Sequence, residues 1–147
     1  MSEVARQSLL RSLALAEPDE LAAAVRDLPQ DVPGHEVVRG PEVGLVMVRG
    51  RIGGGGAPFN AGEATMTRCV VRLSTGEVGF GHVLGRDGER ARHVALLDAL
   101  GQTPRYGGRV GAVAAALDAA RMARTAARAA EVGATRVDFF TMARGED

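Results

Sequence analysis

The chain has 147 residues, 18 of them acidic and 18 basic, and its length suits one domain over residues 1–147. A formal net charge of zero argues against the broad positive field with which proteins bind nucleic acids or anionic membranes nonspecifically. The longest apolar run, residues 110–117, is far shorter than the roughly 20 residues that span a bilayer. Charged residues also interrupt any secretory signal near the N-terminus. We therefore expect a cytoplasmic protein whose partners include neither nucleic acid nor a membrane.

The composition predicts a thin hydrophobic core. Hydrophobic residues make up 46% of the chain but aromatic residues only 3%, and alanine supplies much of the apolar total. Burial contributes about 25 cal/mol per Å² of apolar surface, so a buried alanine stabilises a fold far less than a leucine or phenylalanine does. Because thin cores are commonly stabilised by oligomerisation, we expect the chain to work within an assembly.

Cysteine usage limits the cofactors that the chain could hold. Cys69 is the only cysteine, so it can neither form an internal disulfide nor supply the paired thiolates of a zinc ribbon or an iron–sulfur cluster. We expect no cofactor or metal in this chain. All of its basic side chains are arginines, which suit bidentate binding of carboxylates and phosphates, although genomic base composition would also produce this bias.

Two helices are predicted at the start of the chain. Ser2 is a good N-cap, and apolar residues at helical spacing predict a helix over residues 3–16. Pro18 suits the first turn of a second, short helix, which ends before Pro29.

Two strands and a glycine-rich loop are predicted next. Residues 36–39 and 43–49 have strand character and are separated by Gly40-Pro41, which favours a hairpin or a bent strand pair. Residues 51–59 contain four consecutive glycines and predict a mobile loop that no helix or central strand could cross. The glycine run could also cradle a phosphate, but it lacks the Lys-Ser/Thr that follows such a loop in nucleotide-binding proteins.

The clearest local structure is a hairpin followed by a helix. Residues 64–73 and 78–84 are rich in strand-forming residues and are separated by the turn sequence Ser74-Thr75-Gly76-Glu77. Asp87 is an acceptable N-cap for a helix over residues 88–100. We expect the two strands to form an antiparallel sheet that packs against this helix.

The last third of the chain is predicted to be mainly helical. Residues 103–108 form a loop, while residues 110–117 fit either a buried strand or the start of a helix. Asp118 can cap a helix over residues 119–132, and residues 136–142 predict a terminal strand. The fold class is therefore α+β, with an antiparallel sheet, an N-terminal helix pair, a central helix, and a C-terminal helix followed by a strand.

Three arginines form a candidate anion-binding or partner-binding site. Side chains alternate along the strand at residues 64–73, so Arg68 and Arg72 share one face, while Cys69 and its alternate neighbours share the other. Arg86 follows the next strand, and we expect all three guanidinium groups to lie close together on one surface. Two arginines on a sheet face could hold a phosphate or a partner's carboxylate, although a solvated outer face is the simpler explanation.

A second cluster could support acid–base chemistry. His82, Arg86, Asp87 and His93 could converge, and an imidazole near a carboxylate can exchange protons or bind a metal. The structural alternative is that Asp87 caps the helix and His93 packs at its edge.

Two features of the C-terminal region suggest a partner interface. Arg121, Arg124 and Arg128 are three and four residues apart and form one basic stripe on the last helix, which suits either solvent or an acidic partner. Phe139 and Phe140 are adjacent in a predicted strand and must point to opposite sides of it. One of these rings would need a covering layer from a partner chain.

Six stretches of the sequence resemble the PhnG family, a subunit of the bacterial carbon–phosphorus lyase core complex. They are Glu63–Arg68, Val71–Leu73, Gly79–Asp87, Leu96–Leu100, Thr135–Met142 and Arg144-Gly145. The resemblance extends from the N-terminal helix to the C-terminus.

The resemblance implies an accessory subunit that joins PhnI, PhnH and PhnJ proteins in the catabolism of organic phosphonates. In that complex a phosphonate displaces adenine from ATP, the substrate, to give a ribose 1-phosphonate 5-triphosphate. The family attributes glycosyl transfer mainly to the PhnI-type subunit, and carbon–phosphorus cleavage to a PhnJ-type radical enzyme with an iron–sulfur cluster and S-adenosylmethionine. The resemblance transfers no catalytic residue to this chain. The alternatives are a small stand-alone enzyme that acts on a phosphorylated substrate, and a homomeric binding module.

Overall fold

The structure, a computed structural model, describes residues 2–134. In this part of the chain, helices pack against a three-stranded antiparallel sheet of order β1-β2-β3, which confirms the predicted α+β fold. The elements are α1 (Glu3–Ala14), α2 (Pro18–Arg26), β1 (His35–Arg51), β2 (Pro58–Leu73), β3 (Val78–Leu84), α3 (Gly88–Gly101) and α4 (Gly107–Ala134). The predicted strand over residues 136–142, with Phe139 and Phe140, lies outside the described residues. No helix within residues 2–134 is long and apolar enough to cross a membrane.

The predicted helix starts are confirmed by their caps. The Ser2 hydroxyl accepts a hydrogen bond from the backbone N–H of Ala5 at 3.3 Å, and Pro18 occupies the first turn of α2. The Asp87 carboxylate accepts from the backbone N–H of Arg90 at 2.9 Å and caps α3. Each of these signals is local, so neighbouring sequence was sufficient to predict it.

β1 is one strand of 17 residues, so the predicted break at Gly40-Pro41 is wrong. Its antiparallel partner is β2, and the register shifts between Val37 and Arg39 and again between Arg39 and Glu42. These irregularities accommodate Pro41. Proline has no backbone N–H to donate to a neighbouring strand, and at the sheet edge that missing bond costs nothing because no strand within residues 2–134 lies there to accept it.

The β1–β2 hairpin extends past the third strand as a two-stranded arm. β3 pairs with β2 only over residues 66–72, whereas the β1–β2 pairing continues to Arg51 and Pro58. We define the β-arm as residues 45–65. The glycine-rich segment at its tip is a tight turn that contains the 3-10 helix Ile52–Gly54, in which Gly53 has a positive φ of 61° that favours glycine.

The core lies between the sheet and α3. The backbone of β3 contacts α3 directly at Gly79 and Gly81, because the helix presents the small residues Ala91, Ala95 and Ala99 to the strand. A Cβ added at either glycine would lie 1.9 Å from a backbone carbonyl oxygen of α3. This close contact holds helix and strand together without large side chains between them.

α4 is a single helix, which settles the open assignment of residues 110–117 as helical. Its buried residues Val110, Ala114 and Leu117 recur at helical spacing and join the core cluster. The prediction that Asp118 caps a separate helix is wrong, because Asp118 lies inside α4. Residues 122–134 are exposed throughout, so the helix extends beyond the part that packs on the body.

Candidate interaction surface

The outer face of the sheet carries two of the predicted arginines. Thr67, Cys69 and Val71 are fully buried toward α3, whereas Arg68 and Arg72 are exposed on the opposite face. This alternation confirms that the two arginines share a face.

Both arginines form cross-strand ion pairs with β1. Arg68 lies opposite Glu42 and bonds it at 2.9 Å, and Arg72 lies opposite Glu36, with a nitrogen to oxygen distance of 3.5 Å. Glu42 also accepts from Arg39 at 2.9 Å. The bonds from Arg39 and Arg68 hold the pKa of the Glu42 carboxyl below its usual value. A ligand anion would therefore compete with carboxylates that the fold already supplies.

Arg86 is exposed just after β3, and within residues 2–134 it shares no carboxylate partner with Arg68 or Arg72. Binding of one anion by Arg68, Arg72 and Arg86 together stays a prediction. His82 faces the same side as Arg68, its cross-strand partner, and both border a shallow depression of about 310 Å³. Val46 and Met66 add apolar side chains to its lining.

The second cluster is divided between two structural roles. The Asp87 carboxylate caps α3, as described above, and no hydrogen bond joins Asp87 to His93 in the described part of the chain. His93 is half-buried, and burial is the main cause that lowers its pKa. The Asp87 contact agrees with the structural alternative for this cluster.

The burial of His93 predicts that acid destabilises the fold. The pKa falls chiefly through desolvation, to which Arg92 and Arg26 add, whereas Glu89 and Asp87 oppose it. The unfolded chain, with a histidine pKa of about 6.5, therefore binds the proton more tightly than the folded chain. The destabilisation is absent above the unfolded pKa and grows as the pH falls toward the folded pKa. Urea unfolding of the wild type and His93→Gln from pH 8 to pH 5 should show a shallower loss in the variant. Equal slopes would contradict this account.

The basic stripe on α4 is partly neutralised within the chain. Arg121 bonds Asp118 at 2.7 Å, and Arg124 bonds Glu20 of α2 at 2.5 Å. Arg128 is exposed and forms no ion pair with any residue from 2 to 134. Of the three arginines predicted to meet a partner, Arg128 is the one whose charge is free in the described structure.

Comparison with known proteins assigns the chain to a family. The family model for the phosphonate metabolism protein PhnG matches residues 4–145.

The chain belongs to the PhnG family.

A curated relative from Rhizobium meliloti (strain 1021), named alpha-D-ribose 1-methylphosphonate 5-triphosphate synthase subunit PhnG, is 54% identical to this chain over 142 residues. The match covers 97% of this chain and 90% of the relative.

In this PhnG-family chain, a buried ion pair that the sequence analysis missed seals one edge of the sheet. Asp98 of α3 is fully buried and accepts hydrogen bonds from Arg6 at 2.7 and 2.9 Å and from the backbone N–H of Phe80 at 2.9 Å. Arg6 and Gln102 both donate to the carbonyl oxygen of Val78. These bonds satisfy backbone groups of β3 on the side facing away from β2. The sequence does offer a signal for this buried pair, because Asp98 is a charged residue within the otherwise apolar run Leu96–Leu100.

Proposed function

We propose that this chain is an accessory subunit of a cytoplasmic carbon–phosphorus lyase core complex. The complex would form a ribose 1-phosphonate 5-triphosphate from ATP and an organic phosphonate, with release of adenine. The observation that carries the proposal is the 54% identity, over 97% of this chain, to a subunit of a ribose 1-methylphosphonate 5-triphosphate synthase.

In this proposal, PhnI-, PhnH- and PhnJ-type subunits supply the chemistry that this chain does not. Cys69 is the only cysteine and is fully buried between the sheet and α3, so its surroundings do not fit an iron–sulfur cluster. The cluster and S-adenosylmethionine would belong to the PhnJ-type partner. The paired arginines and the capping role of Asp87 give little support to a stand-alone active site in this chain.

The test is reconstitution from purified subunits. The chain is expressed alone and together with PhnI-, PhnH- and PhnJ-type subunits, and release of adenine from ATP is measured with a phosphonate present. We expect copurification with the partners and adenine release by the complete assembly. The partners without this chain, and this chain by itself, should release none above background.

Each alternative has its own outcome. Full turnover of ATP and phosphonate by the isolated chain would show a stand-alone enzyme and remove the accessory role. Full activity of the partners without this chain would also contradict the proposal. Self-association with no copurification would favour the homomeric binding module.

A further inference from the structure

The β-arm exposes apolar side chains along a face that is buried elsewhere in the fold. Leu45 and Met47 lie opposite Thr65 and Glu63, on the side of the hairpin that α3 covers nearer the body. Leu45 is 64% exposed and Met47 is 56% exposed. Within residues 2–134, the buried face of the sheet therefore continues into the arm, where α3 no longer covers it.

Apolar exposure extends to the tip of the arm. Ile52 is 76% exposed, and Phe59 is 44% exposed although its ring lies against Gly50 of the opposite strand. A two-stranded ribbon is at best marginally stable in water. Thr65 and Glu63 share the face with Leu45 and Met47, so the apolar side chains of this face lie along the β1 side of the arm. Exposed apolar side chains grouped on one element are typical of sites that another protein covers.

Charge on the arm indicates what kind of partner would cover it. The arm carries two arginines, Arg49 and Arg51, and one glutamate, Glu63. Within residues 2–134 Arg49 forms no ion pair, and the Arg51 guanidinium donates only to the carbonyl oxygen of Gly56 in the turn. With two arginines and one glutamate the arm is net positive, so a partner with acidic side chains complements it better than a second positively charged arm does.

We propose that the β-arm inserts its Leu45 and Met47 face into an apolar groove of another subunit of the synthase. In this arrangement Arg49 meets acidic side chains at the rim of the groove. The inference rests on the proposed function, since it takes the partner to be a subunit of the same complex. It assigns to the arm a docking role separate from the arginines on the outer face of the sheet and on α4.

The main test measures affinity for the partner subunits after charges are placed on the arm. The double variant L45D/M47D should weaken binding by about 30-fold or more, as truncation of interface anchors does. The matched control is Leu84→Asp, because Leu84 is 61% exposed at the end of β3 and lies outside the arm. It should change the affinity by no more than about twofold. Circular dichroism and thermal melting check that both proteins remain folded.

A second pair of variants tests the acidic rim. Arg49→Glu should weaken binding at low salt, and the difference from wild type should shrink as salt screens the charges. Arg11→Glu is the control, since Arg11 is an exposed arginine on α1. A third variant, with residues 46–64 replaced by an Asn-Gly turn, keeps the cross-strand pair Leu45 and Thr65 and should fold but fail to bind.

The outcomes separate this inference from the proposed function. Copurification of wild type and all arm variants with equal affinity would overturn the docking role and leave the subunit assignment intact. A wild type that binds no synthase subunit would overturn both. A homodimer of the isolated chain that the arm variants dissociate would show that the arm binds a second copy, which also overturns the inference.

Discussion

Replacing Gly81 with alanine should strongly lower the free energy of unfolding. The new methyl group would lie 1.9 Å from the carbonyl oxygen of Ala91 and 2.9 Å from the backbone nitrogen of Ala95. These are backbone atoms of α3, so the clash cannot be relieved by a side-chain rotation, and the helix would have to move off the sheet. We expect a loss of more than about 3 kcal/mol in the free energy of unfolding, measured by urea titration. Such a loss is a large share of the roughly 5–15 kcal/mol that stabilises a typical domain.

The matched control is Gly44→Ala. Gly44 also lies in a strand, but apart from its own chain neighbours no atom lies within 4 Å of the position that its Cβ would take. We expect its unfolding free energy to change by no more than about 0.5 kcal/mol. A Gly81→Ala protein as stable as Gly44→Ala would mean that α3 does not lie directly on the β3 backbone.

The second large effect is expected from Asp98→Ala. This change removes a fully buried carboxylate and leaves the Arg6 guanidinium and the Phe80 N–H without their shared acceptor. Loss of one partner of a buried pair typically costs about 3–5 kcal/mol, and we expect about 3 kcal/mol because 30% of the Arg6 side chain is exposed. Urea unfolding of Asp98→Ala, of Arg6→Met and of the double variant Arg6→Met/Asp98→Ala would give the coupling energy.

A surface ion pair provides the comparison. Asp118 bonds Arg121 at the same 2.7 Å distance, but both side chains are partly exposed on α4. Asp118→Ala should cost no more than about 1 kcal/mol. Similar losses for Asp98→Ala and Asp118→Ala would contradict the structural role that we assign to the buried pair.

The elements predicted correctly are those specified by neighbouring residues. α3, β3 and the caps at Ser2 and Asp87 follow from signals within a few positions of each element. β1 was divided at Pro41 because a proline normally interrupts a strand, and only its position at the sheet edge makes it acceptable. The length of α4 was missed because Asp118 is a good N-cap residue and therefore predicts a helix start. In the structure it lies inside the helix and forms an ion pair with Arg121.

Only part of the candidate surface could be predicted from the sequence, because only part of it depends on neighbouring residues. Alternation along β2 was enough to place Arg68 and Arg72 on one face. Their pairing with Glu42 and Glu36 depends on the β1–β2 register, which joins residues 26 and 36 positions apart. The close approach of Gly79 and Gly81 to α3 could have been inferred, because two alternate glycines on a strand and alanines spaced by four on a helix form complementary small surfaces.

The two edges of the sheet have different consequences for a newly made chain. The β3 edge is closed by side chains of α1 and α3, whereas within residues 2–134 no strand pairs with the outer edge of β1. Pro41 and the register shifts beside it disfavour edge-to-edge pairing along the first part of β1. The arm part of this edge has exposed apolar side chains and is the stretch that could act as a template for such pairing, the first step of aggregation. We therefore expect that copies of this chain made in excess of its partner subunits aggregate. Synthesis in balanced amounts would then keep the chain in solution as well as supply the right number of subunits.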